Sequence, residues 1–289
     1  MKTLCRGMLL WLLLGAAHAD ISVQDDQGRT VRLGKPAQRI ISLAPHLTED
    51  LFAIGAGPNI VGVSSYSDYP AAAKKIPEIG SYNHFDLEQI RTLKPDLIVA
   101  WPGGNPARQL TQLESLGIAI YYDDPKKLTD IPHVLERLGV LTGRTNIAEQ
   151  AAAQLRTRTA TLAKYHAGKR PVRVFYQVWD RPLMTINGEQ AISDVMRLCG
   201  AVNVFAELPS RAPTVDEEAV LVANPDLIAT SGDSTAKNTW LQRWARFPRL
   251  KAVARNQLYM LPPDLLSRMG PRLVDGAEAL CAAVDKARQ

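Results

Sequence analysis

Aromatic rings set in polar loops are the main chemical feature of this sequence, and the chemistry they suggest is noncovalent capture. The stretch GVSSYSDYP, residues 62–70, follows the apolar run NIVGV and carries Tyr66 and Tyr69 among serines, an aspartate and a proline. Tyr82 and Trp101 fall in loops or at strand ends of the same half, and Trp179 follows an apolar run in VFYQVWDRP. Tyrosine and tryptophan join a large flat face to a polar edge, which suits the wall of a ligand cleft. Each ring could equally pack under its own loop. Trp240 and Trp244, four residues apart, read instead as helix core or helix surface.

Covalent and metal chemistry find few residues. G-x-S-x-G, P-loop, H-E-x-x-H and C-x-x-C patterns are all missing from the sequence. The glycine pair of WPGGN is too weak a pattern for a phosphate cradle. His133 and His166 are expected on solvated helix faces. His46 and His84 are expected in loops after strands, where two imidazoles could converge on a metal. Without clear carboxylate partners they assign no metal site, and His46 alone is kept as a possible ligand.

These residues need elements to position them. QRIISLAPHLTEDLFAIGAG reads as a strand, a turn at Pro45 and a helix with Thr48 and Glu49 in its first turn. Further strands and helices alternate through Thr142, and a second α/β series begins at VRVFYQV. Between them, residues 146–166 are alanine-rich and free of Gly and Pro, the pattern of one long helix. The halves repeat. Asp86 and Asp216, Glu88 and Glu218, and Pro-Asp-Leu-Ile from Pro95 and from Pro225 all stand 130 residues apart. The expectation is an α/β fold of two Rossmann-like lobes, residues 20–144 and 169–289. A long rigid helix over residues 145–168 joins them, with a ligand cleft between.

The first nineteen residues form a secretory leader by pattern. Lys2 and Arg6 precede the apolar run Met8–Leu14, and Ala17-His18-Ala19 makes an A-x-A site before Asp20. The mature chain is expected to be exported and soluble. Its formal charge drops from +5 to +3 once Lys2 and Arg6 are gone, too dispersed to argue for nucleic acid. Outside the leader stand Cys199 and Cys281, either a disulfide or two buried thiols.

VGVSSYSDYP, LKPDLIVAWPGGNPARQL and LESLGI closely resemble the cobalamin-binding members of the helical-backbone substrate-binding proteins of bacterial ABC importers. The resemblance runs from about Arg39 to the C-terminus, through PDLIAT, Cys199-Gly200 and PRL…LC, and is patchier in the second half. It implies two α/β lobes with little closure. It also implies a periplasmic protein that captures cobalamin or a related corrinoid and hands it to a permease dimer. Such a chain binds and does not catalyse, has no resident cofactor and acts as a monomer.

Residue by residue, the resemblance places Tyr66 and Trp101 in the corrinoid pocket, and Tyr82 where the family has a tryptophan. Asp264 and Arg268 match polar second-lobe positions, Glu88 and Glu218 match glutamates that dock onto permease arginines, and Cys199 and Cys281 match a disulfide. Ala212 and Met184 stand where the family has a tryptophan and a phenylalanine, losses for which Trp179 could compensate. His46 stands in a ligand-facing loop where the family has a small residue. A haem or ferric siderophore binder is the alternative, although siderophore sites favour basic residues and these loops are near neutral. An α/β enzyme using His46, His84 and Asp264 is a third reading.

Overall fold

Short apolar runs alternating with amphipathic segments form two four-stranded sheets, as α/β patterning requires. The computed structural model describes residues 20–232, 238–262 and 264–289; the leader expected over residues 1–19 lies outside them. A hairpin of β1 (Ile21–Gln24) and β2 (Thr30–Leu33) opens the chain. Then come β3 (Ile40–Ser42), α1 (Pro45–Ala53), β4 (Ile60–Val63), a small hairpin of β5 (Gly80–Ser81) and β6 (His84–Phe85), α2 (Leu87–Leu93) and β7 (Leu97–Ala100). The first series ends with α3 (Ala107–Ser115), β8 (Ala119–Tyr122) and α4 (Ile131–Thr142). Helix α5 (Thr145–His166) leads to β9 (Val172–Gln177), α6 (Ala191–Leu198), β10 (Ala201–Asn203), α7 (Glu217–Ala223) and β11 (Leu227–Ser231). The chain closes with α8 (Asn238–Gln242), α9 (Lys251–Ala254), β12 (Leu258–Leu261) and α10 (Leu273–Arg288). The opening hairpin and the short strand β10 carry too few apolar residues to stand out in the sequence.

Both sheets are parallel, with strand orders β4-β3-β7-β8 and β10-β9-β11-β12. Each thus has its first and third strands adjacent. Leu97 and Val99 of β7 enter one core and Ile98 and Ala100 the other, so helices cover both faces and the strand is apolar throughout. After β3 the chain crosses to the face holding Leu47 and Leu51 of α1; after β7 it crosses to the face holding Leu110 and Leu113 of α3. The second sheet repeats this, with Val195 of α6 on one face and Leu241 of α8 on the other. Connections that part in this way open a crevice at the carboxyl ends of the strands.

One core runs through both lobes, from Leu47 and Leu51 through Leu135, Ala148 and Leu155 to Leu280 and Val284. Helix α5 buries Ala148, Ala152, Leu155 and Thr159, one stripe at spacings of three and four, and Ala148 and Leu155 join that core. Its 22 residues span about 33 Å. A Cβ on Gly139 of α4 would stand 2.3 Å from the Ala148 Cβ, so glycine sets how closely α4 and α5 approach. His166, at the end of α5, corrects the expectation of a solvated residue. It is buried, its Nδ1 3.5 Å from Asp285 of α10, because the C-terminal helix folds back over the end of α5. Cys199 and Cys281 form a disulfide that ties the end of α6 to α10.

The sequence repeat is a structural repeat. Asp86 caps α2 by accepting from the Gln89 N–H at 2.9 Å, and Asp216 caps α7 by accepting from the Ala219 N–H at 2.7 Å. Both helices end on a left-handed residue, Lys94 and Asn224. Asp96 then accepts from the Arg39 N–H and Asp226 from the Arg173 N–H, while those arginines donate to the Leu93 and Ala223 carbonyls. Glu88 and Glu218 therefore sit exposed at equivalent points of equivalent helices.

Candidate functional site

The carboxyl ends of the strands carry the candidate rings. Trp101 directly follows β7, and Trp179 lies two residues past β9, each beside its sheet's switch point. Tyr82 joins the first wall, its ring centroid 6.4 Å from that of Trp101. Buried Asn105 sets this corner. Its Oδ1 accepts from the Trp101 N–H at 2.7 Å, and its Nδ2 donates to the carbonyls of Leu43 (2.9 Å) and Tyr82 (2.8 Å). One amide thus joins the ends of two strands to the Tyr82 turn. The glycines of WPGGN have a packing role: a Cβ on Gly104 would come within 2.0 Å of the Trp101 indole, and one on Gly103 within 2.7 Å of its Nε1. Sequence reading missed Asn105, because an asparagine after two glycines signals only a turn.

The loop after β4 holds its own polar groups and presents one ring. Ser65 Oγ donates to Glu78 and to the Gly80 carbonyl, Ser67 accepts from Thr48, and the Tyr69 ring lies 3.8 Å from the Arg272 guanidinium. Tyr66 is 73% exposed and left-handed at φ 65°, a conformer that costs a non-glycine residue about 1–2 kcal/mol. An open groove of about 670 Å³ runs beside it, lined in part by Asp68, Lys74, Glu78 and Ser81. A second hollow, of about 390 Å³, lies at the lobe seam along Glu49, Phe52, Leu155 and Arg272, and no candidate ring except Tyr69 lines it.

On the second lobe Trp179 is half exposed, its Nε1–H donating to the Arg181 carbonyl and its ring edge-on to Trp240 at 5.6 Å. Asp264 is left-handed at φ 67° and lines a hollow of about 170 Å³ with Tyr176, Ser231 and Ser267. Tyr176 and Ser231 hydrogen-bond to each other there. Arg268 is placed differently from an open polar anchor. It is only 9% exposed, and its Nη1 donates to Glu49 and to Asp68, both at 2.9 Å, while Nη2 lies 3.2 Å from Asp264. Arg272 adds two bonds to Glu49, at 2.9 and 2.6 Å. Glu49, expected in a first helical turn, lies deeper because α1 begins at Pro45, and it binds the second lobe to the first. Burial works against charge on Asp68, but the Arg268 guanidinium outweighs it and holds the carboxyl below its ordinary range.

His46 is not in a loop. It sits in the first turn of α1, buried edge-on under Trp101 at 5.5 Å, with Nε2 3.6 Å from Asp123. Burial first, then the nearby Arg268 charge, push its pKa down to about 3, so the ring is neutral. His84 lies exposed on β6, in quite different surroundings. Among the described residues no group of three His, Cys, Asp or Glu side chains is placed to hold a metal ion.

Beside His46 lies a cluster of buried polar side chains. Asp50 and the Tyr121 hydroxyl are buried there with no hydrogen-bond partner among the described residues, and Asp123 is fully buried beside them. Burial, then the Asp123 charge, raise Asp50 well above the usual carboxylate range, and burial, then Asp26, raise Asp123. An acid raised in this way holds its proton in the folded state, so stability falls as pH rises from about 4 through the folded pKa. Asp50→Asn, which mimics the protonated acid, should therefore gain stability on the wild type between about pH 5 and pH 8 in urea titrations. A constant difference over that range would show that Asp50 titrates as it does in the unfolded chain. His46 acts oppositely, costing stability as pH falls below its unfolded value near 6.5, but does so in both proteins.

Residues 40–265 match the family model described as periplasmic binding protein. The vitamin B12-binding protein of Vibrio cholerae is 40% identical over 246 residues, covering 85% of this chain and 88% of that one. The crystal structure of the periplasmic vitamin B12-binding protein of Vibrio cholerae superposes with a TM-score of 0.82 at 39% identity, over 88% of this chain and 99% of that one. A periplasmic heme-binding protein from Roseiflexus sp. RS-1, at 24% identity and a TM-score of 0.75 over 88% and 100% of the two chains, shares the fold alone.

Proposed function

This chain belongs to the periplasmic binding protein family, and on that premise we propose that it captures cobalamin or a related corrinoid in the periplasm and delivers it to an ABC import permease. One observation carries the reading: the exposed rings Tyr66 and Trp179, with Trp101, stand at the carboxyl ends of strands in both sheets, and exposed Tyr82 lies beside Trp101, in a chain 40% identical to a vitamin B12-binding protein.

A corrinoid is broad and flat, with amide arms. Large rings on both lobes suit its faces, and Asp264 can accept from an amide N–H at its rim, with Arg268 behind it. The chelate brings its own equatorial nitrogens, so capture needs no protein ligand to the cobalt. The Glu49 tie and the shared core favour lobes that are already placed, which reduces the ordering cost of binding. Trp179 stands in for the rings that Ala212 and Met184 do not supply. Met184 pairs with both Trp179 and Thr214 in the backbone under that wall.

Glu88 and Glu218 are the docking pair of this proposal. Two equivalent carboxylates on a duplicated fold match a two-fold permease, and such charges set orientation and encounter rate more than affinity. Calorimetry of the mature chain with cyanocobalamin and with dicyanocobinamide tests the whole. Saturable heat is expected with at least one, and absence of heat with both would sink the corrinoid reading. The Glu88→Lys/Glu218→Lys variant should keep that heat and lose its complex with solubilised permease; a retained complex would remove the docking role.

A further inference from the structure

We infer that Asp68 is a positioning residue for the ligand: with Glu49 it holds Arg268 as a strut that fixes Tyr66 and Asp264 on opposite walls of the cleft. The inference rests on the corrinoid reading above.

Five non-glycine residues take positive φ among the described residues: Tyr66, Lys94, Asn224, Asn256 and Asp264. Lys94 and Asn224 end helices α2 and α7, and Asn256 follows α9, all places where left-handed residues stop a helix. Asp264 ends no helix, and Tyr66 is the third residue of a turn closed by the Ser67 N–H on the Ser64 carbonyl at 3.3 Å, a left-handed position that glycine or asparagine usually fills. A left-handed non-glycine residue persists only where its surroundings over-determine it.

One guanidinium supplies that constraint to both. Arg268 Nη2 lies 3.2 Å from Asp264 itself. Its Nη1 donates to Asp68, whose own N–H donates to the Tyr66 carbonyl at 3.0 Å and closes a tight turn centred on Ser67, the residue next to Tyr66. Glu49, buried on α1, accepts from the same Nη1 and keeps the guanidinium from swinging into the cleft. Released from Arg268, the loop would leave the left-handed turn and carry the Tyr66 ring off the wall.

The test is a double-mutant cycle read by calorimetry with cyanocobalamin. Asp68 is half exposed, so Asp68→Asn should fold with a nearly unchanged thermal midpoint. Its Kd should rise about tenfold, as when the competent fraction falls to about a tenth. In a Tyr66→Ala background the same substitution should cost clearly less than tenfold in Kd, because of the two groups the strut positions only Asp264 is left. An unchanged Kd for Asp68→Asn, or the same tenfold loss in both backgrounds, would overturn the inference. A wild-type protein that binds no corrinoid would instead overturn the functional reading beneath it.

Discussion

Glu49→Ala is expected to lower the thermal midpoint by about 10 °C. The substitution leaves Arg268 and Arg272 in the lobe seam without their shared carboxylate, which is 2% exposed in the folded chain. Removing one partner from a buried ionic network costs about 3–5 kcal/mol, because the remaining charges stay desolvated. For a chain of this size each kcal/mol moves the midpoint by about 2–4 °C. The outer ion pairs of the seam, Arg158 with Asp275 and Glu278, are half exposed and offer little compensation. Scanning calorimetry measures the shift. A change below about 2 °C would mean that water fully replaces the carboxylate and that the lobes are held by the apolar core alone.

The Cys199→Ala/Cys281→Ala variant should lose about 4 kcal/mol of unfolding free energy, with the effect residing mainly in the unfolded chain. The bond closes a segment of 82 residues, for which the chain-entropy model gives about 4–5 kcal/mol. Both sulfurs are buried, so small cavities add to the cost. Urea titration should also show a steeper m value, since the uncrosslinked unfolded chain expands further. Corrinoid affinity should survive, because the bond ties α6 to α10 and neither cysteine lines the cleft hollows. A stability loss below about 1 kcal/mol would show that the unfolded chain is already compact without the bond.

The parts legible in the sequence are those fixed by near neighbours. Asp86 and Asp216 bond the backbone three residues on, so their caps could be read directly, and the repeat of Glu88 and Glu218 came with them. The strands could be read as apolar runs and α5 as an alanine-rich segment without breakers. The rings could be seen to lie in loops. His166 could not be placed, since the carboxylate that meets it lies on α10, 119 positions further on.

Alternation, the duplicated lobe and its capped helices, and the candidate cysteines and rings were therefore determined by the sequence itself. Tertiary structure decided what those side chains face. Arg268 reads as a polar loop residue, yet its partners Glu49 and Asp68 stand 219 and 200 positions away. Asn105 reads as a turn residue, yet it holds Leu43 and Tyr82, 62 and 23 positions away. His46 reads as a loop ligand, yet α1 buries it beneath Trp101. The physical reason is range. Caps and periodicity depend on residues within a turn or two, whereas a guanidinium chooses its partners only after two lobes and a shared core have set where it can reach.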